Sequence, residues 1–178
     1  MANLQTITLG GGCFWCLEAV YELVDGVTAV ESGYSNGHVV DPSYEQVCGG
    51  DTGHVEVVKV TYDAERISLR EVLEIFFHIH DPTTLDRQGN DTGTQYRSGI
   101  YFETPEQERI AREVLGEASA EHKGRVVTEV KALANYSQAE AYHQHYFVRN
   151  PGQGYCAFVV APKVEKFRKT FKQRVKAA

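Results

Sequence analysis

The run Gly10-Gly11-Gly12-Cys13-Phe14-Trp15-Cys16 has the residue types for sulfur chemistry: a thiol at a glycine turn, two aromatics, and a second thiol three residues on. The thiolate is the nucleophilic form of cysteine, and aromatic faces suit a small polarisable group such as a thioether methyl. Before the run, Leu4 to Leu9 alternates apolar and polar residues as a strand does. After it, Leu17, Val20, Tyr21 and Val24 recur at helical spacing, with Glu18 and Glu22 opposite. Cys13 therefore falls at a strand-to-helix turn, where unpaired N–H groups and the helix dipole favour an anion. The expectation is a thiol that ionises more easily than a free one.

Other residues carry complementary chemistry. Glu56 shares a strand face with Val58 and Val60. It is either a surface glutamate or a buried carboxyl whose raised pKa makes it a general acid. Tyr44 and Tyr96 lie in loop-like stretches, as packing lids or as hydroxyl donors to a developing oxyanion. Cys156 sits in Gly152-Gln153-Gly154-Tyr155-Cys156, in a tail that reads as extended or coiled from Gln153 to Pro162. It is an incidental thiol, or one that swings over to close a recycling disulfide. Cys16 forms a Cys-x-x-Cys pair with Cys13 and is either a packing residue or a second redox thiol. Cys48, between Val47 and two glycines, reads as structural. The histidines lack the spacing of a zinc site, so no metal is expected, and His143 reads as a core histidine.

These residues need a mixed scaffold. Strands are expected over 27–34, 54–62, 98–102 and 126–133. Ser68 with Glu71, and Thr104-Pro105 with Gln107, cap two helices, and Ser137 with Glu140 a third that carries Ala139, Tyr142, His143 and Tyr146 on one face. A long polar loop runs from Asp81-Pro82 to Gln95, a length usual for functional or mobile segments. Val164, Phe167, Phe171 and Val175 mark a last amphipathic helix, rich in Lys and Arg. Strands and helices without strict βαβ repetition imply an α+β domain. The 178 residues, 42 % hydrophobic with a net charge of −6, suit one domain over 1–178. No run is long enough to span a membrane, and no signal peptide is evident. A cytoplasmic monomer is expected, with no membrane partner. The basic final helix reads as a solvated face, with no nucleic-acid partner.

Gly12-Cys13-Phe14-Trp15-Cys16, Tyr44-Glu45-Gln46-Val47-Cys48, Gly53-His54-Val55-Glu56, Gly93-Thr94-Gln95-Tyr96-Arg97-Ser98 and Tyr142-His143-Gln144 together resemble the peptide methionine sulfoxide reductase A family, from about residue 5 to at least residue 160. The resemblance implies a two-layer α+β sandwich with a ferredoxin-like split βαβ core and an irregular, flexible C-terminal segment from about residue 150. It also implies roles. Cys13 attacks the sulfur of the S epimer of methionine sulfoxide, free or in proteins. Phe14 and Trp15 hold the methyl group, Glu56 protonates the oxygen, and Tyr44 and Tyr96 hydrogen-bond it. Asp91 matches an acidic position that supports the site. Cys156 matches a recycling cysteine that resolves the Cys13 sulfenic acid. Thioredoxin then reduces the disulfide as external reductant, with no bound cofactor. Cysteine at position 16, where many members carry glycine, leaves Cys16 as a rival resolving thiol. A thioredoxin-like thiol–disulfide oxidoreductase using Cys13 and Cys16 is the alternative, although it gives no purpose to Glu56, Tyr44 or Cys156.

Overall fold

The alternation at the N-terminus produces β1 (Leu4–Gly10), the first strand of a six-stranded sheet. The chain then runs through α1 (Phe14–Tyr21), β2 (Val27–Ser35), α2 (Tyr44–Cys48), β3 (Val55–Asp63) and α3 (Leu69–Ile79). A hairpin of β4 (Arg87–Gln88) and β5 (Asp91–Thr92) follows, then β6 (Gly99–Phe102), α4 (Pro105–Glu121), β7 (Glu129–Ala132), β8 (Ser137–Gln138), α5 (Tyr146–Arg149) and α6 (Ala161–Thr170). The computed structural model describes residues 2–177. Mixed strands and helices around this sheet make the fold α+β.

The sheet order is β7-β6-β1-β3-β2-β8. β3 pairs antiparallel with β1, Leu9 opposite Val58, and with β2, Tyr34 opposite Glu56. β6 pairs antiparallel with β1 and parallel with β7. Central β3 is buried on both faces at its start: Val55, Glu56, Val57 and Val58 are all enclosed. The main core joins the sheet to α1, α3 and α6 through Leu9, Val58, Val60, Leu17, Phe76 and Phe167, among others. On the other face, Val55, Val57 and Tyr101 form a small cluster under Leu133 and Tyr136.

Local chemistry fixes the helix starts. The Ser68 hydroxyl accepts the Glu71 N–H and the Thr104 hydroxyl that of Gln107, with Pro105 in the first turn. Gln107 also ties α4 to β1, donating from Nε2 to the Thr6 carbonyl at 2.7 Å.

Two expected elements differ. The helix from Ser137 is instead a short edge strand, a tight turn at Ala141–His143 and the single turn of α5. Gln144 clamps this stretch to β2, accepting from Ser32 N–H at 2.9 Å and donating to the Ser32 carbonyl at 2.9 Å. His145, at φ +55°, cannot continue a right-handed helix. The C-terminal segment is likewise not an irregular tail. A π-helical turn, Cys156–Val160, runs directly into α6. Val160, Val164 and Phe167 bury one side of this helix, and Cys156 is fully enclosed. Pro162 removes a hydrogen-bond donor in the first turn of α6, and a wider turn just before it accommodates the ring. Beyond α6, Lys176 N–H donates to the Leu23 carbonyl and Asp25 N–H to the Arg174 carbonyl, fastening the C-terminus to the end of α1. No helix among the described residues is long and apolar enough to cross a membrane.

Candidate active site

The glycine turn is pinched from three sides. A Cβ on Gly10 would lie 2.6 Å from the Val55 side chain of β3, and one on Gly11 3.1 Å from the His80 ring. Gly12 has φ +93°, and a Cβ there would lie 2.7 Å from Gln88. His80 is locked beneath the turn. Its Nδ1–H donates to the Phe76 carbonyl at 2.5 Å, so Nε2 accepts from the Ser98 hydroxyl at 2.8 Å. Burial pushes its pKa down to about 4, keeping the ring neutral. The turn delivers Cys13 to the N-cap of α1.

Glu56 comes from the middle of the sheet to the same helix start. The Phe14 N–H donates to its Oε1 at 3.1 Å. Burial dominates that bond, and with a contribution from Asp91 it raises the Glu56 pKa to about 8. A carboxylic acid is therefore kept protonated at neutral pH beside Cys13. Glu56 is therefore not a surface glutamate, because both faces of β3 are covered here.

The expected acidity of Cys13 is not found. The Trp15 N–H does lower its pKa, as a helix start should. Burial outweighs it, Glu56, Cys16 and Asp91 add negative charge nearby, and the thiol is pushed well up. The sequence showed the dipole and not the enclosure.

Tyr44 opens α2 and Tyr96 closes a tight turn, Thr94–Tyr96, after the hairpin. Burial raises both phenol pKa values, with Glu56 acting on both. Their hydroxyls stay protonated and lie within electrostatic reach of Glu56. Tyr44 is placed through Glu140, whose Oε2 accepts the Tyr44 N–H at 2.9 Å while Oε1 accepts the Tyr34 hydroxyl at 2.8 Å. Asp91, on β5, accepts the Tyr155 hydroxyl at 2.5 Å, and its charge acts on Cys13, Glu56 and Tyr96.

Phe14 is fully buried against His143 and Tyr34, at centroid distances of 5.0 and 5.7 Å. Trp15 stacks on Tyr146 at 3.8 Å, and its indole N–H donates to His143 Nδ1 at 3.1 Å. Glu18, opposite the apolar positions of α1, is nevertheless buried and takes the Ser32 hydroxyl and Tyr146 N–H at 3.3 Å each. Burial raises its pKa to about 7.

All four cysteines are free. Cys16 is buried, 3.9 Å from the Tyr155 hydroxyl. Cys156 is near enough for its charge to act on Cys16. Cys48 is exposed, not structural, and lies at the mouth within the electrostatic reach of Tyr44, Glu56 and Tyr96. The residues missed from the sequence are Tyr155, Tyr146 and Glu140, whereas His143, read as a core histidine, is fully buried and accepts the Trp15 indole N–H. A tyrosine beside Cys156 was the signal for the first, while the others depend on the folded path after Ser137. Among the described residues one cluster has metal-ligand chemistry, Glu18, Glu22 and His145. None of these is a catalytic candidate, and His145 is already paired with Glu22.

A thiol at a helix start, a protonated carboxyl beside it and two phenols within electrostatic reach of that carboxyl fit a thiol-dependent redox enzyme on an α+β scaffold. More narrowly, the chain belongs to the peptide methionine sulfoxide reductase family, whose sequence model matches residues 5–175. It is 53% identical over 173 residues to peptide methionine sulfoxide reductase MsrA of Saccharolobus solfataricus, covering 97% of this chain and 98% of that one. Among solved structures it is similar to the reduced form of Mxr1 from Saccharomyces cerevisiae, with a TM-score of 0.80 and 36% identity over 86% of this chain and 89% of that one. It is also similar to Mxr1 in complex with Trx2, with a TM-score of 0.57 and 25% identity over 80% and 84% of the two chains.

Proposed function

We propose that this chain reduces the S epimer of methionine sulfoxide, free or in proteins, and that Cys13, Glu56, Tyr44 and Tyr96 carry the chemistry. The protonated Glu56 beside Cys13 is the observation that carries this assignment. A sulfoxide oxygen leaves poorly unless protonated. Glu56 gives it a proton while the Tyr44 and Tyr96 hydroxyls donate hydrogen bonds to it. Cys13 attacks the sulfur with the methyl group against Phe14 and Trp15. Methionine leaves, the oxygen remains as the Cys13 sulfenic acid, and the thiol proton of Cys13 restores Glu56. A raised thiol pKa suits this order, because Cys13 ionises only as substrate and proton donor come together.

Recycling needs a second thiol. Cys156 attacks the sulfenic acid sulfur, forms the Cys13–Cys156 disulfide and releases water. Because Cys156 is fully enclosed at rest, the π-helical turn opens first. Cys16 is the alternative resolving thiol, three residues from Cys13 on α1. The Mxr1–Trx2 complex supports thioredoxin as the dithiol that reduces the product disulfide. No step requires a bound cofactor.

The chain acts as one domain over residues 1–178, with the segment from about 150 carrying the resolving cysteine. Strand order β6-β1-β3-β2, with α1 joining β1 to β2 and α3 following β3, supports the ferredoxin-like split βαβ core.

The test is a single turnover of the reduced protein with each epimer of free methionine sulfoxide. About one methionine per chain from the S epimer is expected, with a trappable sulfenic acid in the Cys156→Ser variant. Release from the R epimer, or none from either, would refute the assignment.

A further inference from the structure

The catalytic scheme leaves Glu18, Glu22 and His145 unused. Their ligand atoms, two carboxylate oxygens and an imidazole nitrogen, all lie within 4.8 Å of one another. Glu18 on α1 and Glu22 at its C-cap are four residues apart, so they stand one above the other on the same face. His145 comes from the start of α5, at φ +55°, where its ring meets Glu22. Glu22 and His145 are 123 residues apart in the chain, so no local spacing reveals the set.

The charges here favour a cation. Neither carboxylate forms an ion pair with a lysine or arginine among the described residues. Arg149, the cation of α5, donates instead to the carbonyls of Ala141, Tyr142 and Gln144, at 3.3, 2.8 and 2.8 Å. Glu18 is only 1% exposed, and a buried carboxylate is costly unless it is paired or bound to a metal. The Ser32 hydroxyl and Tyr146 N–H hold it from outside the cluster, as outer partners hold a metal ligand, and leave lone-pair sites free on its oxygens. The other side is open to an entering ion, with the Glu22 and His145 side chains 20% and 60% exposed. Metal bonds of about 2.0–2.2 Å put neighbouring ligand atoms roughly 3–3.5 Å apart. A rotation of the exposed imidazole closes the set to that size.

We propose that Glu18, Glu22 and His145 bind one divalent first-row transition-metal ion. The ion takes the place of the proton between His145 and Glu22, which passes to solvent, and water fills its remaining positions. Two carboxylates with one imidazole suit such an ion, whereas Mg²⁺ and Ca²⁺ favour sets made of oxygen alone. It acts as a clamp between α1 and α5 and takes no part in the thiol chemistry. Trp15 lies three residues before Glu18 on the same face of α1. It stacks at 3.8 Å on Tyr146, whose N–H bonds Glu18. Binding is therefore felt at Trp15, the one tryptophan of the chain.

The experiment titrates Co²⁺ into the full chain without oxygen, kept reduced by a phosphine in place of thiols, and follows visible absorption and Trp15 emission. One ion per chain is expected, with a change in Trp15 emission and without the sulfur-to-cobalt charge-transfer band that a cysteine ligand gives. His145→Gly removes the imidazole and suits φ +55°, so the fold is kept. It is expected to weaken binding by at least about tenfold and to remove the emission change. His78→Ala, at an exposed histidine of α3, is expected to bind as the wild type does. Binding unchanged in His145→Gly overturns the proposal, as does a sulfur charge-transfer band at the first equivalent. Displacement of the ion by excess Mg²⁺, or the absence of saturable binding, overturns it as well. Because binding is read directly, none of these results depends on the reductase function.

Discussion

Cys13 and Cys156 occupy opposite kinds of surroundings. Cys13 sits at the start of α1 on a turn held by β3, His80 and Gln88, with Glu56 bonded to the same helix start and Tyr44 and Tyr96 within its electrostatic reach. Cys156 sits inside a π-helical turn with no exposed surface, next to Tyr155 in the chain and near enough to Cys16 for its charge to act there. In the proposed cycle the first is prepared for chemistry, and the second must be released for it. The difference teaches that the two halves of the cycle ask for different physical properties. Reduction of the sulfoxide needs preorganised donors, and closing the disulfide needs a segment able to leave its packing. A π-turn before a proline is a weak point in a helix, suited to that release.

This contrast is broken most severely by Cys13→Ser, which is expected to reduce methionine sulfoxide at no more than background rate. Retained turnover would remove Cys13 as the nucleophile. Cys156→Ser should keep the first half and lose the second, giving about one methionine per chain and then stalling with oxidised Cys13 under thioredoxin. Sustained thioredoxin-driven cycling would transfer the resolving role to Cys16.

Glu56→Gln sharpens the prepared side. The single-turnover rate should fall by about 10²–10⁴ near neutral pH. The deficit should narrow in acid, where solvent supplies the proton, and above about pH 8, where Glu56 itself ionises. A pH–rate profile parallel to the wild type would exclude Glu56 as the acid.

The same residue has a smaller effect on stability. In the unfolded chain Glu56 loses its proton near the ordinary carboxyl pKa, while the folded chain keeps it up to about pH 8. Between those values the unfolded state binds fewer protons, so its term is most favourable below the unfolded pKa and is lost with rising pH, by at most about 1.4 kcal/mol per unit. Urea unfolding at pH 5, 6.5 and 8 should show a shallower decline for Glu56→Gln than for the wild type. The Glu18 contribution, of the same sign through about pH 7, remains in both. An identical decline would place Glu56 in solvent. Smallest of all, Cys16→Ser should leave thioredoxin-driven cycling within about twofold, and a larger loss would show that Cys16 takes part.

The prepared side was legible in the sequence because its signals are local. The Gly10–Gly12 turn, the strand through Glu56 and the caps at Ser68 and Thr104 each lie within a few residues of what they control. The released side was not, because its structure is decided by long-range contacts. Whether Gln153 to Pro162 coils or winds depends on Val160 and Phe167 finding the core. Whether Ser137 starts a helix depends on Gln144 finding Ser32. The Cys13 thiol failed for the same reason. A helix start is visible in sequence, whereas burial beside Glu56 exists only once β3 and α1 meet.

The most direct measurement is mass mapping of the disulfide formed when the reduced protein meets one equivalent of S-methionine sulfoxide without reductant. A Cys13–Cys156 bond is the predicted product, one methionine released per bond. A Cys13–Cys16 bond, or methionine released with all four thiols intact, would contradict the division between a prepared cysteine and a released one.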